Sequence, residues 1–302
     1  VGAQFGDAAS RTRGPVRCEH HRALYRRWVG LEDVRSLKEG DLESREESLH
    51  LLLNRAERDD ASAITALRTV VRDYRDFHRT VYCRALNHIE VFGDTDLEAP
   101  LLTALADTRY NCQAWAATGC TVLGIRAAVP ALLDLVDHPQ WIMRERAIVG
   151  LGVLGDETVV GALAPLLQDP TDWVRHRAAD ALAAIGGDEA LAALWDQFAD
   201  RRYERIGYIA SALAQFAPGV IPRLIDAAAS TDPDQRYWAA TALGSTGDER
   251  AAPTLARLVA EDRGTTVFDG RVSVSAKKGL RTLRRIQAAI AARSEPTGQA
   301  RP

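Results

Sequence analysis

Three columns of the sequence recur every 31 residues: Gly93, Gly124, Gly155 and Gly186; Ala85, Ala116, Ala147 and Ala178; and Leu101, Leu132, Leu163 and Leu194. A chain with that period is built from one supersecondary unit used repeatedly. Each unit buries its apolar side only by stacking on its neighbours. The step shortens to 30 between Leu213 and Leu243.

The clearest unit is DPTDWVRHRAADALAAIGGDEALAALWDQFA, from Asp169 to Ala199. Pro170 stands where a helix can begin, Asp172 is placed to cap it, and Gly186-Gly187 supplies the positive φ of a C-terminal turn. A second helix opens on Asp188-Glu189, two acids on its positive N-terminal dipole. Val174, Ala178, Ala181, Leu182 and Ile185 fall on one face of the first helix, to be met by Leu191, Leu194 and Trp195 of the second. The unit is a helical hairpin whose apolar stripe needs a further hairpin to close it.

The same pattern reads at Phe77 to Asp107, Thr108 to Asp137, His138 to Gln168, Asp200 to Ser230 and Thr231 to Ala260. A degenerate unit, Val272 to Ala292, keeps Ala276, Leu280, Leu283 and Ile286. The expected organisation is an N-terminal extension over 1–40, partly disordered, then capping helices over 41–76, a repeat solenoid over 77–292 and a flexible tail over 293–302.

The segments DPTDWVRHRAADALAAIGGDEA, RERAIVGLGVLGDETVVGAL and QRYWAATALGSTGDERAAPTL resemble the phycobilisome-lyase (E-Z) type of HEAT repeat over Phe77 to Ala292. That resemblance implies an all-α fold, an α-solenoid of HEAT-like hairpins wound as a right-handed superhelix. It also implies a concave face formed by the helix that precedes each Gly-Asp-Glu turn. The family includes chromophore lyases and adaptors, so the resemblance carries architecture rather than function.

Carrying Arg177 along the period gives Arg84, Trp115, Arg146, Arg177, Tyr208 and Trp238, a column of guanidinium and aromatic groups on helices expected to stack about 8–10 Å apart. Glu145, His176 and Tyr237 flank it on one side; Asn87, Thr118, Asp180, Ser211 and Thr241 flank it on the other. Arg, Trp and Tyr carry most of the energy at protein interfaces. Solvated polar residues with aromatics covering apolar surface would account for the same letters. Arg144, Arg175 and Arg236 form another column, each just after an Asp-containing turn (Asp137, Asp169, Asp232), and read as turn-stabilising ion pairs. Trp141 and Trp173 open their helices and read as structural. Glu261 to Ser275 is longer than the other connections, either a lid on one end of the groove or a disordered loop.

Several chemistries are argued against. Gly150 to Gly155 matches GxGxxG, but it ends a helix and lacks the preceding strand of a dinucleotide site. Four adjacent residues, Cys18, Glu19, His20 and His21, diverge by about 100° each if helical and cannot all reach one ion. Cys18, Cys83, Cys112 and Cys120 have no zinc or disulfide spacing. No cofactor and no metal are expected. The HEAT-repeat hydroxylases of the deoxyhypusine type use repeated His-Glu pairs, and this chain has no His-Glu dipeptide. HEAT-like DNA glycosylases share a superficial likeness in Trp115, Arg177, Asp180 and Trp238. Against nucleic acid stand a net charge of −3 and only three lysines, Lys38, Lys277 and Lys278. With no run of eighteen apolar residues and a polar start from Val1 to Pro15, a soluble cytoplasmic protein is expected, with no membrane partner.

Three functional expectations follow, the last in rank being the DNA glycosylase-like nucleic-acid binder named above. The first is a non-catalytic scaffold whose groove holds a protein segment or acidic peptide, with Arg84, Arg146 and Arg177 on carboxylates and Trp115, Tyr208, Tyr237 and Trp238 on apolar or planar groups. The second is an enzyme acting on a small planar or anionic molecule, with His176, Asp180 and Glu145 as acid and base.

Overall fold

The structure, a computed structural model, describes residues 34–108, 112–200 and 206–294. The Cys18 to His21 cluster lies outside the described residues, as does most of the expected N-terminal extension. The described residues contain helices and one isolated antiparallel bridge, Thr265 with Arg271. The chain is an α-solenoid that divides into two compact units, one ending at Leu123 and the other beginning at Gly124.

The first unit holds α1 (Leu42–Ala56), α2 (Ala61–Arg72), α3 (Arg79–Leu86), α4 (Ile89–Phe92), α5 (Glu98–Ala106) and α6 (Gln113–Val122). Asp41 and Asp60 cap α1 and α2, accepting from the amides of Ser44 at 2.8 Å and Ser62 at 2.9 Å. Leu49, Leu52, Leu67, Val70, Phe77, Tyr82 and Phe92 fill its core. Buried Asp107 ties it together, accepting from the Tyr74 hydroxyl at 2.7 Å and from Arg75 Nε at 2.9 Å.

The second unit holds α7 (Val129–Leu133), α8 (Trp141–Leu154), α9 (Val160–Leu163), α10 (Asp172–Ile185), α11 (Gly187–Ala199), α12 (Gly207–Ala214), α13 (Ile221–Ala227), α14 (Pro233–Ser245), α15 (Ala252–Glu261) and α16 (Val272–Ser294). The first helices of successive hairpins pack as a row, α8 on α10, α10 on α12, α12 on α14 and α14 on α16. Gly186 and Gly187 turn from α10 into α11 with φ of 77° and 81°. The glycines of the GxGxxG string lie in α8 or end it; a Cβ on Gly152 would stand 2.8 Å from that of Ala181, so its absence lets α8 and α10 approach.

Three local expectations are corrected. Thr171 is the N-cap of α10, and Asp172 lies inside the first turn, paired with Arg175 at 2.7 Å. Leu191 and Trp195 are half-buried; the buried face of α11 is Ala190, Leu194, Gln197 and Phe198, because the helix turns Trp195 outward beneath the Arg223 guanidinium, 4.1 Å from its ring. Two members of the arginine column, Arg144 and Arg236, pair forward rather than within their own turn, whereas Arg175 pairs with Asp172 at the start of its own helix. Arg144 forks Asp169 of the next turn at 2.7 and 2.9 Å, and its Nη1 donates back to the carbonyls of His138 and Pro139. Arg236 repeats this with Asp262 at 2.6 and 3.1 Å and with the Ser230 and Thr231 carbonyls. Each such arginine staples the turn before its helix to the turn of the following repeat. These bidentate pairs hold both acids below the usual carboxylate range. At Asp262 the Arg236 hydrogen bonds dominate; at Asp169 burial pushes the other way and is outweighed by donors from Arg144 and the Thr171 amide.

Candidate functional site

In the second unit the column predicted from the period runs along the row of first helices: Arg146 on α8, Arg177 on α10, Tyr208 on α12 and Trp238 on α14. None of the four is buried; each keeps part of its side chain at the surface. The backbone explains why. On α10 the core side is Val174, Ala178, Ala179, Ala181 and Leu182, which leaves Trp173, Arg177, Asp180 and Ala184 on the solvent side of a 3.6-residue helix.

The charged half of the row is internally matched. Glu145, its side chain only 13% exposed, is bridged by Arg146 Nε and Arg177 Nε, each at 3.4 Å. Arg177 also reaches Asp180 at 3.6 Å. A carboxylate arriving from a ligand therefore competes with Glu145 for both guanidiniums. The set offers an acceptor as well as donors, because the flanking Glu145 lies between the two guanidiniums.

The aromatic half is continuous over two repeats. His176 stacks against Tyr208 with ring centroids 4.3 Å apart, and Trp173 meets His176 at 6.3 Å in an edge contact. Farther along, Tyr237, Trp238 and Phe268 form a triangle of rings with centroids 4.9 to 5.5 Å apart. Trp238 lies over the start of α12, where a Cβ on Gly207 would come 3.2 Å from Cζ3. The absence of a Cβ at Gly207 lets the indole sit close against the backbone there. Trp141 and Trp173, read from sequence as structural, are 45% and 60% exposed, and Trp173 extends the aromatic edge through its contact with His176.

Phe268 arrives on the connection before α16, which is an ordered hairpin. Thr266 N donates to Gly270 O at 2.8 Å, Val272 N donates to Gly264 O at 3.1 Å, and Asp269 takes φ 63° at the tip. Asp234 of α14 holds it from beside, accepting from Val267 N at 3.0 Å. Asp262, forked by Arg236, fixes its first residue. The segment covers Tyr237 and Trp238 with its own ring instead of swinging free. No periodic signal marks Phe268, so the period gave no means of finding it.

The proposed acid and base groups do not converge. The carboxylate near His176 is Asp172, 3.6 Å from Nε2, whereas Asp180 and Glu145 are engaged by arginines. Among the described residues no group of three or more His, Cys, Asp or Glu side chains is arranged to hold a metal ion. Two open depressions occur in this unit, of about 340 Å³ beside Trp195, Arg223 and Gln235, and of about 550 Å³ beside Gly152, Asp156 and Ala184. Neither is lined by His176, Asp180 or Tyr208. Arg84 and Trp115 belong to the first unit: Arg84 is exposed and paired with Glu46 at 2.8 Å, and Trp115 is half-buried on α6.

The family described as HEAT repeats matches residues 129–214 and 206–268, both stretches lying within the second unit. Solved structures similar to the chain include human deoxyhypusine hydroxylase in complex with glycerol, 19% identical, covering 87% of this chain and 99% of that one with a TM-score of 0.36. Another is the complex of CpcE and CpcF of phycocyanin lyase from Nostoc, 20% identical, covering 97% and 99% with a TM-score of 0.40. A designed armadillo repeat protein in complex with a (KR)4 peptide is 13% identical, covering 84% and 98% with a TM-score of 0.34. No curated protein matches the chain. No helix among the described residues is long and apolar enough to cross a membrane.

Proposed function

We propose that this HEAT-repeat solenoid is a non-catalytic binding scaffold, and that the first-helix face of its second unit holds an extended or helical segment of a partner protein. The observation that carries the reading is the run of surface aromatics, Trp173, His176, Tyr208, Trp238, Tyr237 and Phe268, seated on consecutive repeats next to the matched Arg146–Glu145–Arg177 set. Rigid aromatic groups lose little side-chain entropy on binding and supply large contact area. The Arg–Glu–Arg set supplies donors and an acceptor for a peptide backbone or polar side chain. The engagement of Asp180 and Glu145 by arginines, with Asp172 rather than either of them beside His176, favours a binding surface over an acid–base site.

Replacing Tyr208 or Trp238 by Ala is expected to weaken partner capture by about thirtyfold each, the scale of an interface hot spot. Arg146→Ala is expected to cost less than about threefold, since its charge is already matched by Glu145. Capture is measured by quantitative mass spectrometry of polypeptides co-purifying from the source cells, with helical circular dichroism as the folding control. Undiminished capture by both aromatic variants would remove the groove assignment. Co-purification of a small planar or anionic molecule in place of a polypeptide would move the function to the second expectation.

A further inference from the structure

The last helix, α16, carries no acidic residue among VSVSAKKGLRTLRRIQAAIAARS. Its core side, Val272, Ser275, Ala276, Gly279 and Leu283, is buried, and the helix packs on α14 and α15. Gly244 of α14 meets Gly279 backbone to backbone, and Ser275 Oγ donates to the Tyr237 carbonyl at 2.9 Å. The opposite side holds Lys277, Lys278, Arg281, Arg284 and Arg285, all exposed. At about 100° per residue these five fall within an arc of about 120°, and at 1.5 Å rise they span about 12 Å. None of them has an ion-pair or hydrogen-bond partner among the described residues. Elsewhere in the same unit Arg144, Arg146, Arg175, Arg177, Arg236 and Arg250 are each held by a carboxylate.

We infer that this face of α16 is a second docking surface, separate from the aromatic groove, and that its occupant is a short acidic segment of a partner protein with carboxylates three to four residues apart on a helix. Such a segment repeats its charges every 4.5 to 6 Å or so, the axial interval of the row Lys277, Arg281 and Arg284. Three of the five cations are arginines, whose forked donors take a carboxylate bidentately. The size of the patch decides against long polyanions. The chain's formal charge is −3 with these five cations included, so the remainder carries −8 (−3 less five). A nucleic-acid duplex or an anionic membrane extends well beyond about 12 Å, and the molecule as a whole is net acidic. A membrane would also want a contiguous apolar face to insert, and the two large apolar side chains that α16 leaves exposed, Val274 and Ile290, fall about 160° apart around the helix.

The test uses the full chain and three probes at about 0.15 M salt: fluorescent decaglutamate, a DNA duplex, and vesicles containing phosphatidylserine. Decaglutamate is expected to bind with an affinity that falls as salt rises. The triple variant Lys278→Gln, Arg281→Gln, Arg285→Gln should weaken it by about tenfold, whereas Arg126→Gln, at an exposed arginine on the turn before α7, should leave it unchanged. Trp238→Ala should leave it unchanged as well, which separates this surface from the groove. Equal loss in the control variant, no loss in the triple variant, or stronger retention of duplex or vesicles than of decaglutamate would overturn the assignment.

Discussion

Buried Arg144 makes four hydrogen bonds, two to Asp169 and two to backbone carbonyls of the preceding turn, and its side chain is only 10% exposed against 4% for Asp169. Removing the guanidinium strands a buried carboxylate and two carbonyls. Arg144→Ala is expected to cost about 3 kcal/mol in urea unfolding at neutral pH. The sign of its pH dependence follows from the Asp169 carboxyl, which is held below its unfolded value: the stability it contributes is complete above the ordinary carboxylate range, near 4, and is lost as pH falls through the lowered folded value. The gap between variant and wild type should therefore be widest at neutral pH and narrow below about pH 4. A gap independent of pH would show that Arg144 acts by packing alone. The sequence exposed this arginine column and its association with turns. It hid the partner, because Arg144 reaches 25 residues forward to Asp169, and only the stacking distance between repeats decides that over Asp137.

Helix rows depend on how closely first helices approach. Gly244 and Gly279 bring α14 and α16 into backbone contact, so a Cβ on Gly244 has nowhere to go. Gly244→Ala is expected to lower stability by about 2–3 kcal/mol through overpacking, read by thermal or urea unfolding. An unchanged midpoint would mean the two helices sit farther apart. The 31-residue glycine column illustrates what periodicity does and does not encode. Gly186 is required by its φ of 77°, but Gly155 has an extended φ of −79° and is glycine because a Cβ would press 2.5 Å from the Leu151 carbonyl. One column in the letters has two physical causes. The hairpins themselves were legible because each apolar stripe must face its neighbour. The hairpin before α16 was not, since its order comes from Asp269 at positive φ, the Arg236–Asp262 fork and the Phe268 ring on Tyr237 and Trp238.

At the scale of the molecule, the period predicts one ladder from Arg84 to Trp238, while the chain divides at Leu123 into two compact units. Arg84 and Trp115 lie in the first unit and Arg146 through Trp238 in the second, where the aromatic run and the HEAT-repeat match are also found. Which residues share a face could be read from the repeat. How their charges are matched could not, because Glu145 answers an arginine 32 residues away. The central claim is that partners are held on the first-helix side of the second unit. A photo-crosslinking amino acid placed at Tyr208, and separately at Trp195 on the second-helix side, tests it in the source cells. The expected result is one polypeptide covalently captured from position 208 and absent from position 195. Capture of the same polypeptide equally well from both positions, or from 195 alone, would contradict it.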